Sequence, residues 1–267
     1  MNLALLGGGR MGEALARGLL DAGWERDAIV VAEIDADRRR VLEEFLPGVR
    51  VVPSPAWATA DVDVVVVAVK PTDVAAALQA CAGTLPERAL VLSIAAGVTI
   101  DDLEAATGAR PVVRAMPNTG ALVGKGAAAI AAGRDAGEAQ LELAERILGA
   151  VGTVVRVPEA QLDAVTGLSG SGPAYVFLLA EALIEAGVLV GLARPTAVAL
   201  VTQTLLGAAT LLHETGESPE ALRAAVTSPG GTTAAGLQSL EAHGVRAAIL
   251  DAVVAATNRS RELGSRP

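Results

Sequence analysis

The stretch Leu3-Ala4-Leu5-Leu6-Gly7-Gly8-Gly9-Arg10-Met11-Gly12-Glu13-Ala14-Leu15 decides the fold of this chain. An apolar run leads into a glycine turn and then into a helical stretch, which is the strand, turn and helix of a dinucleotide site. Gly7 permits the tight turn, Gly9 lets the backbone approach a pyrophosphate, and Gly12 lets the helix pack on the strand. The N-terminus of that helix presents unbonded N–H groups and a partial positive charge to phosphate.

The next predicted strand supplies a second mark of a dinucleotide site. Glu33 follows the run Ile29-Val30-Val31-Ala32, about 20 residues beyond the turn, where an acid that binds a ribose is expected. Arg10 and Met11, at the start of the helix, are further candidates for contact with the cofactor. A glycine turn alone is common, but in this context it favours dinucleotide binding over an unrelated α/β protein.

The rest of the chain divides into two parts of different character. Up to residue 157 short β-rich runs alternate with helical ones, and the valine run 63–69 is typical of a buried parallel strand. We therefore expect an α/β Rossmann-type doubly wound sheet over residues 1–157 as a dinucleotide-binding domain. Residues 158–267 lack β patterns and predict an all-α domain, with helices beginning near Gly172-Pro173, Arg194-Pro195, Ser218-Pro219 and Thr232.

Composition limits the partners of the protein. The 267 residues carry a net charge of −9, which argues against nucleic acid because no basic stripe exists to replace phosphate counterions. The helices of the second domain are apolar around much of their circumference, so we expect them to be covered by another subunit.

The apolar stretch 174–193 could span a bilayer, but Glu181 and Glu185 interrupt it, and we interpret it as a buried helix rather than a membrane span. The start of the sequence shows no basic leader, which predicts a cytoplasmic protein.

Further candidate ligand-binding residues follow the predicted strands, because ligands bind at the carboxyl ends of such sheets. Lys70, one of two lysines in the chain, follows one strand, and its alternative is a solvated surface lysine. The candidates for cofactor contact at these ends are Ala68, Val69, Lys70, Pro71, Ala96 and Asn118.

The scarcity of tyrosine, lysine and histidine excludes several catalytic mechanisms. Tyr175 is the only tyrosine and no lysine follows it four residues later, which excludes a Tyr–Lys hydride-transfer pair. His213 and His243 are the only histidines and are not clustered, so we expect no metal site. A substrate that needs no strong general acid from the protein, such as an imine whose nitrogen is already protonated, would suit this chain. The turn 227–233 could hold a small carboxylate, although an ordinary helix-capping turn fits the same pattern.

These motifs together resemble the pyrroline-5-carboxylate reductase family, and the resemblance runs along the whole chain. The most specific parts are DAVTGLSGSGPAYVF from Asp163 to Phe177 and SPGGTT from Ser228 to Thr233, joined by Arg114-Ala115-Met116-Pro117-Asn118-Thr119. The resemblance implies hydride transfer from NADPH or NADH to a cyclic imine, which gives L-proline. It also implies homodimers, often five to a ring, which would make a decamer.

The resemblance assigns roles to residues of the second domain. The substrate carboxylate would be held by the turn residues Ser228, Gly230, Gly231 and Thr232. The Thr233 hydroxyl would hydrogen-bond the ring nitrogen as the catalytic group, and Glu159 matches a position near the substrate.

The preference between the two coenzymes stays open. Glu33 can accept from a ribose 2′-OH and would repel a 2′-phosphate, which favours NADH. The run Arg38-Arg39-Arg40 is close enough in sequence to reverse that preference, and Ser54 matches a region that some relatives use for the phosphate.

Two other functions remain as alternatives. One is another imine reductase or a β-hydroxyacid dehydrogenase-like enzyme, which is disfavoured because 169–181 contains no lysine. The other is a redox sensor that binds NAD(P) without turnover.

Overall fold

A computed structural model describes residues 1–264 of the chain, which folds as two compact units. The first consists of Met1–Ser171 and the segment that starts at Ala255, and the second is Gly172–Val254. The first unit therefore extends beyond the division predicted after residue 157. Leu162 explains this difference, because it is buried in the core of the first unit, and Ser260 donates from Oγ to Asp163 Oδ1 at 2.6 Å.

An eight-stranded sheet forms the centre of the first unit. Its strands are β1 (Leu3–Leu6), β2 (Ile29–Ala32), β3 (Arg50–Val52), β4 (Val64–Val67), β5 (Leu90–Ser93), β6 (Val112–Pro117), β7 (Gly126–Ala132) and β8 (Gly152–Arg156). Their order is β3-β2-β1-β4-β5-β6-β7-β8, and every pair is parallel except β6 with β7. The first six follow the doubly wound order 3-2-1-4-5-6, which confirms the predicted fold class.

Helices cover both faces of this sheet. They are α1 (Arg10–Asp21), α2 (Ala36–Phe45), α3 (Pro55–Ala58), α4 (Val74–Cys81), α5 (Ile100–Thr107), α6 (Glu138–Gly149) and α7 (Leu162–Val165), followed by a π-helical turn, Thr166–Gly170. Side chains from α1, α2 and α6 build the apolar core on one face, and those from α3, α4, α5 and α7 build the core on the other. Strands β1, β2, β4 and β5 are buried at every residue, as continuous apolar runs predict for parallel strands.

The second unit is helical. It contains α8 (Gly172–Leu189), α9 (Arg194–Thr215), α10 (Pro219–Ala225), α11 (Thr232–Ala242) and the first part of α12 (Val245–Gly264). The four predicted helix starts are confirmed, although α10 has only seven residues.

Apolar side chains of this unit remain exposed. Only Ala197 is buried in α8 and α9 together, whereas Phe177, Leu189 and Leu206 are 64%, 86% and 60% exposed. The stretches Glu159–Leu189 and Arg194–Thr215 are long and apolar enough to cross a membrane, by length and composition alone. The core helix of a soluble protein meets the same criteria.

Candidate functional site

The glycine turn links β1 to α1 at the point where the strand order reverses, between β1 and β4. The Gly7 N–H donates to the Ala32 carbonyl at 2.8 Å, and Gly7 has a φ of +104°, which favours glycine. A Cβ on Gly12 would lie 2.1 Å from the Gly7 carbonyl oxygen, so only glycine lets α1 approach the turn this closely. Both roles agree with those assigned from the sequence.

Gly8 has a structural role that the sequence did not reveal. A Cβ at this position would lie 2.3 Å from Leu42 Cδ1 on α2, so the buried Leu42 side chain would have to shift to admit a side chain here. The only sequence signal was the run of three successive glycines, which does not indicate the partner.

Gly9, in contrast, is open. No heavy atom lies within 4 Å of a Cβ built on it, and its side of the turn is exposed. The first hydrogen bond of α1 runs from the Glu13 N–H to the Gly9 carbonyl at 2.9 Å, so the N–H groups of Arg10, Met11 and Gly12 precede the helical ladder. Unbonded N–H groups beside a residue without a side chain suit a pyrophosphate, and the turn therefore fits a dinucleotide.

Glu33 follows β2 and contacts this turn directly. Its Oε2 accepts from the Gly8 N–H at 3.0 Å and its Oε1 accepts from the Asp35 N–H at 2.9 Å. The carboxylate is thus fixed beside the turn, where the sequence placed a ribose-binding acid.

The three consecutive arginines of α2 have three different surroundings. Arg38 Nε donates to the Gly8 carbonyl at 2.6 Å, and its Nη2 pairs with Glu13 at 2.5 Å. Arg39 Nη1 donates to the backbone carbonyls of Glu33 and Ile34. Arg40 forms an exposed ion pair within α2. Only the tertiary structure distinguishes these side chains.

The other predicted cofactor residues lie at the carboxyl ends of their strands. Ala68 and Val69 follow β4 and pack against Gly7, while Lys70 and Pro71 are exposed at the start of the next turn. Ser54 follows β3 as the half-buried N-cap of α3, and exposed Ala96 lies in the loop after β5. The structure thus brings them to one edge of the sheet.

Asn118 follows β6 and uses its side chain within the protein. Its Oδ1 accepts from the N–H groups of Gly120 and Ala127, both at 3.1 Å, and its Nδ2 donates to the Ser169 carbonyl at 3.0 Å. It therefore joins β6, β7 and the π-helical turn. Its predicted contact with the cofactor stays a prediction.

Glu159 forms a charged cluster in the first unit. Its Oε1 accepts from Arg114 Nη1 at 2.8 Å and from the Ile100 N–H, the first residue of α5, at 2.7 Å. The Arg114 side chain is 11% exposed and that of Glu159 is 33% exposed. This carboxylate caps a helix and pairs with an arginine, two roles that the sequence reasoning missed, and its role at the substrate stays a prediction.

The hydroxyl-rich turn lies in the second unit, immediately before α11. Gly230 has a φ of +69°, and the Gly231 N–H donates to the Ser228 carbonyl at 3.0 Å. The first helical bond runs from Ala235 to Gly231, so the N–H groups of Thr232 and Thr233 precede the ladder of α11. Thr232 is exposed and Thr233 is half-buried. This helix start offers donors that suit a small carboxylate.

The strand order and the glycine turn place the chain in the class of dinucleotide-binding α/β proteins. A family model described as pyrroline-5-carboxylate reductase dimerisation matches residues 159–263, and one described as NADP oxidoreductase, coenzyme F420-dependent, matches residues 2–97. The chain is 46% identical to the pyrroline-5-carboxylate reductase of Synechocystis sp. over 267 residues, covering 100% of this chain and 99% of the relative. It belongs to the pyrroline-5-carboxylate reductase family.

Solved structures agree with this membership. A pyrroline-5-carboxylate reductase from Coxiella burnetii is 40% identical, with a TM-score of 0.94 and 99% of both chains covered. Plasmodium falciparum pyrroline carboxylate reductase, solved with NADP bound, is 31% identical with a TM-score of 0.86, covering 99% of this chain and 98% of the other. The resemblance seen in the sequence is therefore confirmed, and it favours a reductase over a hydroxyacid dehydrogenase or a redox sensor.

Proposed function

We propose that this protein reduces 1-pyrroline-5-carboxylate to L-proline with NADH or NADPH, the last step of proline synthesis. The observation that carries the proposal is the match to pyrroline-5-carboxylate reductases along the whole chain. The glycine turn supports it independently, because its open Gly9 and its closely packed Gly7 and Gly12 have the geometry that a dinucleotide requires. No group of three or more His, Cys, Asp or Glu that could hold a metal ion occurs among residues 1–264.

The first unit binds the coenzyme in this proposal. The N–H groups of Arg10 and Met11 hold the pyrophosphate, and Glu33 faces the ribose of the adenosine half. Further contacts come from the ends of the neighbouring strands, at Ser54, Ala68, Val69, Lys70, Pro71, Ala96 and Asn118. When bound, the reduced nicotinamide supplies a hydride to the imine carbon.

The turn before α11 binds the substrate carboxylate. The Gly231 N–H already donates to Ser228, so we assign the carboxylate to the N–H groups of Thr232 and Thr233, with Ser228 and Gly230 shaping the turn. The Thr233 hydroxyl orients the ring and polarises the protonated imine nitrogen as a hydrogen-bond partner. Glu159 matches a position near the substrate in relatives, and we assign it to the substrate here. Catalysis then rests on positioning rather than on a strong acid.

Thr233 provides the test of this mechanism. Valine at this position keeps the shape of the side chain but removes the hydroxyl, and we expect kcat/KM to fall by about 10- to 100-fold, the worth of one hydrogen bond to a charged group. Serine keeps the hydroxyl and should retain activity within about fivefold. Activity is measured as loss of absorbance of NADH or NADPH with 1-pyrroline-5-carboxylate, together with the yield of L-proline.

Coenzyme binding is the control for these variants. Both Thr233→Val and Thr233→Ser should bind coenzyme like the parent protein in a calorimetric titration without imine. Equal turnover of the valine variant and the parent would refute the role of Thr233. A parent protein that forms no L-proline with either coenzyme would refute the proposed function.

We also propose that the protein is a homodimer, with a decamer as the larger possible assembly, and that it is cytoplasmic and binds neither membranes nor nucleic acid. The dimerisation family model supports self-association, and the exposed apolar side chains of α8 and α9 need a cover that the described part of the chain does not supply. Light scattering coupled to size-exclusion chromatography gives the subunit number, and a monomer at micromolar concentration would contradict this part of the proposal.

A further inference from the structure

The surroundings of Glu33 bear on the choice between the two coenzymes. Its two carboxylate oxygens each accept one backbone N–H bond, from Gly8 at 3.0 Å and from Asp35 at 2.9 Å. Each oxygen of a carboxylate has a second lone pair, so two acceptor positions remain. These positions can accept from ribose hydroxyls, whereas a 2′-phosphate would bring more acceptors and more negative charge against the same group.

Arg38 is the cation that could have reversed this preference, and the fold uses it elsewhere. It donates to the Gly8 carbonyl at 2.6 Å and pairs with Glu13 on α1 at 2.5 Å, and 27% of its side chain is exposed. Glu13 also pairs with Arg17 at 2.7 Å. These two bonds use Nε and Nη2 and fix the guanidinium between the turn and α1, so the protein and not a bound phosphate sets its position.

The remaining charged groups near Glu33 do not form a phosphate site. Arg39 donates through Nη1 to the Glu33 and Ile34 carbonyls at 3.0 and 2.8 Å, so its guanidinium is fixed against the backbone. Arg40 pairs with Asp37 on the exposed face of α2. A fixed carboxylate is therefore the group that is presented beside the turn, and it has no bidentate arginine partner among the described residues.

We infer that this protein selects NADH over NADPH, with Glu33 as the specificity-determining residue and Arg38 held against the turn and Glu13. The inference rests on the proposed function and deepens it, because it names which of the two coenzymes the site takes.

The test measures binding without any imine. Calorimetric titration of the purified full chain should show NADH binding at least about tenfold more tightly than NADPH, because like charges set against each other are strongly disfavoured. Two probes isolate the 2′-phosphate: adenosine 5′-monophosphate should bind at least as tightly as adenosine 2′,5′-bisphosphate. These measurements use the unaltered protein and do not depend on the folding of a variant.

Glu33→Gln tests the residue itself. It keeps the shape of the side chain and removes the charge, so the ratio of the two dissociation constants should fall to within about threefold. Glu43→Gln is the matched control, because Glu43 is an exposed glutamate on α2, and it should leave the ratio unchanged.

The possible results separate this inference from the proposed function. Tighter binding of NADPH than NADH to the unaltered protein would overturn the inference, and so would an unchanged ratio in Glu33→Gln. A protein that binds NADH selectively but does not oxidise it with 1-pyrroline-5-carboxylate would refute the proposed function and leave the inference intact.

Discussion

Alanine at Gly12 should lower the stability of the protein, whereas alanine at Gly9 should weaken coenzyme binding, although the two glycines lie three residues apart in one turn. A Cβ at Gly12 would lie 2.1 Å from the Gly7 carbonyl oxygen, a backbone atom that cannot move without opening the turn. Overpacking of this kind costs about 3 kcal/mol, and the better helix propensity of alanine returns about 1 kcal/mol. The net loss of about 2 kcal/mol lowers Tm by about 4–8 °C for a protein of this size.

Alanine at Gly9 should instead raise the dissociation constant of the coenzyme and change the stability of the protein little. No atom lies within 4 Å of a Cβ there, and its φ of −63° and ψ of −174° are accessible to alanine. Loss of the glycine N-cap costs less than about 1 kcal/mol. The new methyl group would occupy the space where the pyrophosphate approaches, so we expect the dissociation constant of the coenzyme to rise at least about tenfold, which corresponds to about 1.4 kcal/mol.

Thermal unfolding by circular dichroism and a coenzyme titration measure the two effects on the same preparations. Each variant serves as the control for the other, because the exchange of glycine for alanine is identical. The reasoning is refuted if Gly9→Ala unfolds at as low a temperature as Gly12→Ala, or if Gly9→Ala binds the coenzyme as tightly as the parent protein.

Two further predictions concern stability. Asn118→Ala removes three hydrogen bonds, including the one to Ser169, and should cost about 2–4 kcal/mol in chemical unfolding, whereas an unchanged midpoint would show that these bonds contribute nothing. Arg156→Gln should lower Tm slightly at pH 7 and leave it unchanged in strong acid. The reason is that the hydrogen bond from Arg156 lowers the pKa of Glu145. The stabilisation is therefore present above the ordinary glutamate pKa of about 4.3, and it is lost as the pH falls through the lowered pKa. A Tm difference that persists in strong acid would contradict this origin.

Local patterns were enough to predict several elements to the residue. The sequence pattern predicts strands at Ile29 to Ala32 and Arg50 to Val52 and a helix around Ala36 to Phe45, and β2, β3 and α2 have these bounds. Helix α2 could be predicted because its N-cap is a local contact. The side chain of Asp35 accepts from the Arg38 N–H at 2.8 Å, and both residues lie within four positions of the sequence. The sequence pattern predicts the next long helix from Asp135 to Leu148, but α6 begins at Glu138, because Gly137 is its N-cap and the preceding residues form a turn.

The sequence by itself therefore determined the class of fold, the glycine turn and the position of the acid after β2, because strand periodicity, caps and turns depend on neighbouring residues. Only the tertiary structure decided what Gly8, Arg38 and Asn118 do. Their partners, Leu42, Glu13 and Ser169, are more than 20 residues away in the chain, and they meet only when helices pack on the sheet. Three adjacent arginines look equivalent in a sequence, but the packing of α2 against the turn gives each a different neighbour, and it fixes the Glu33 carboxylate beside the turn.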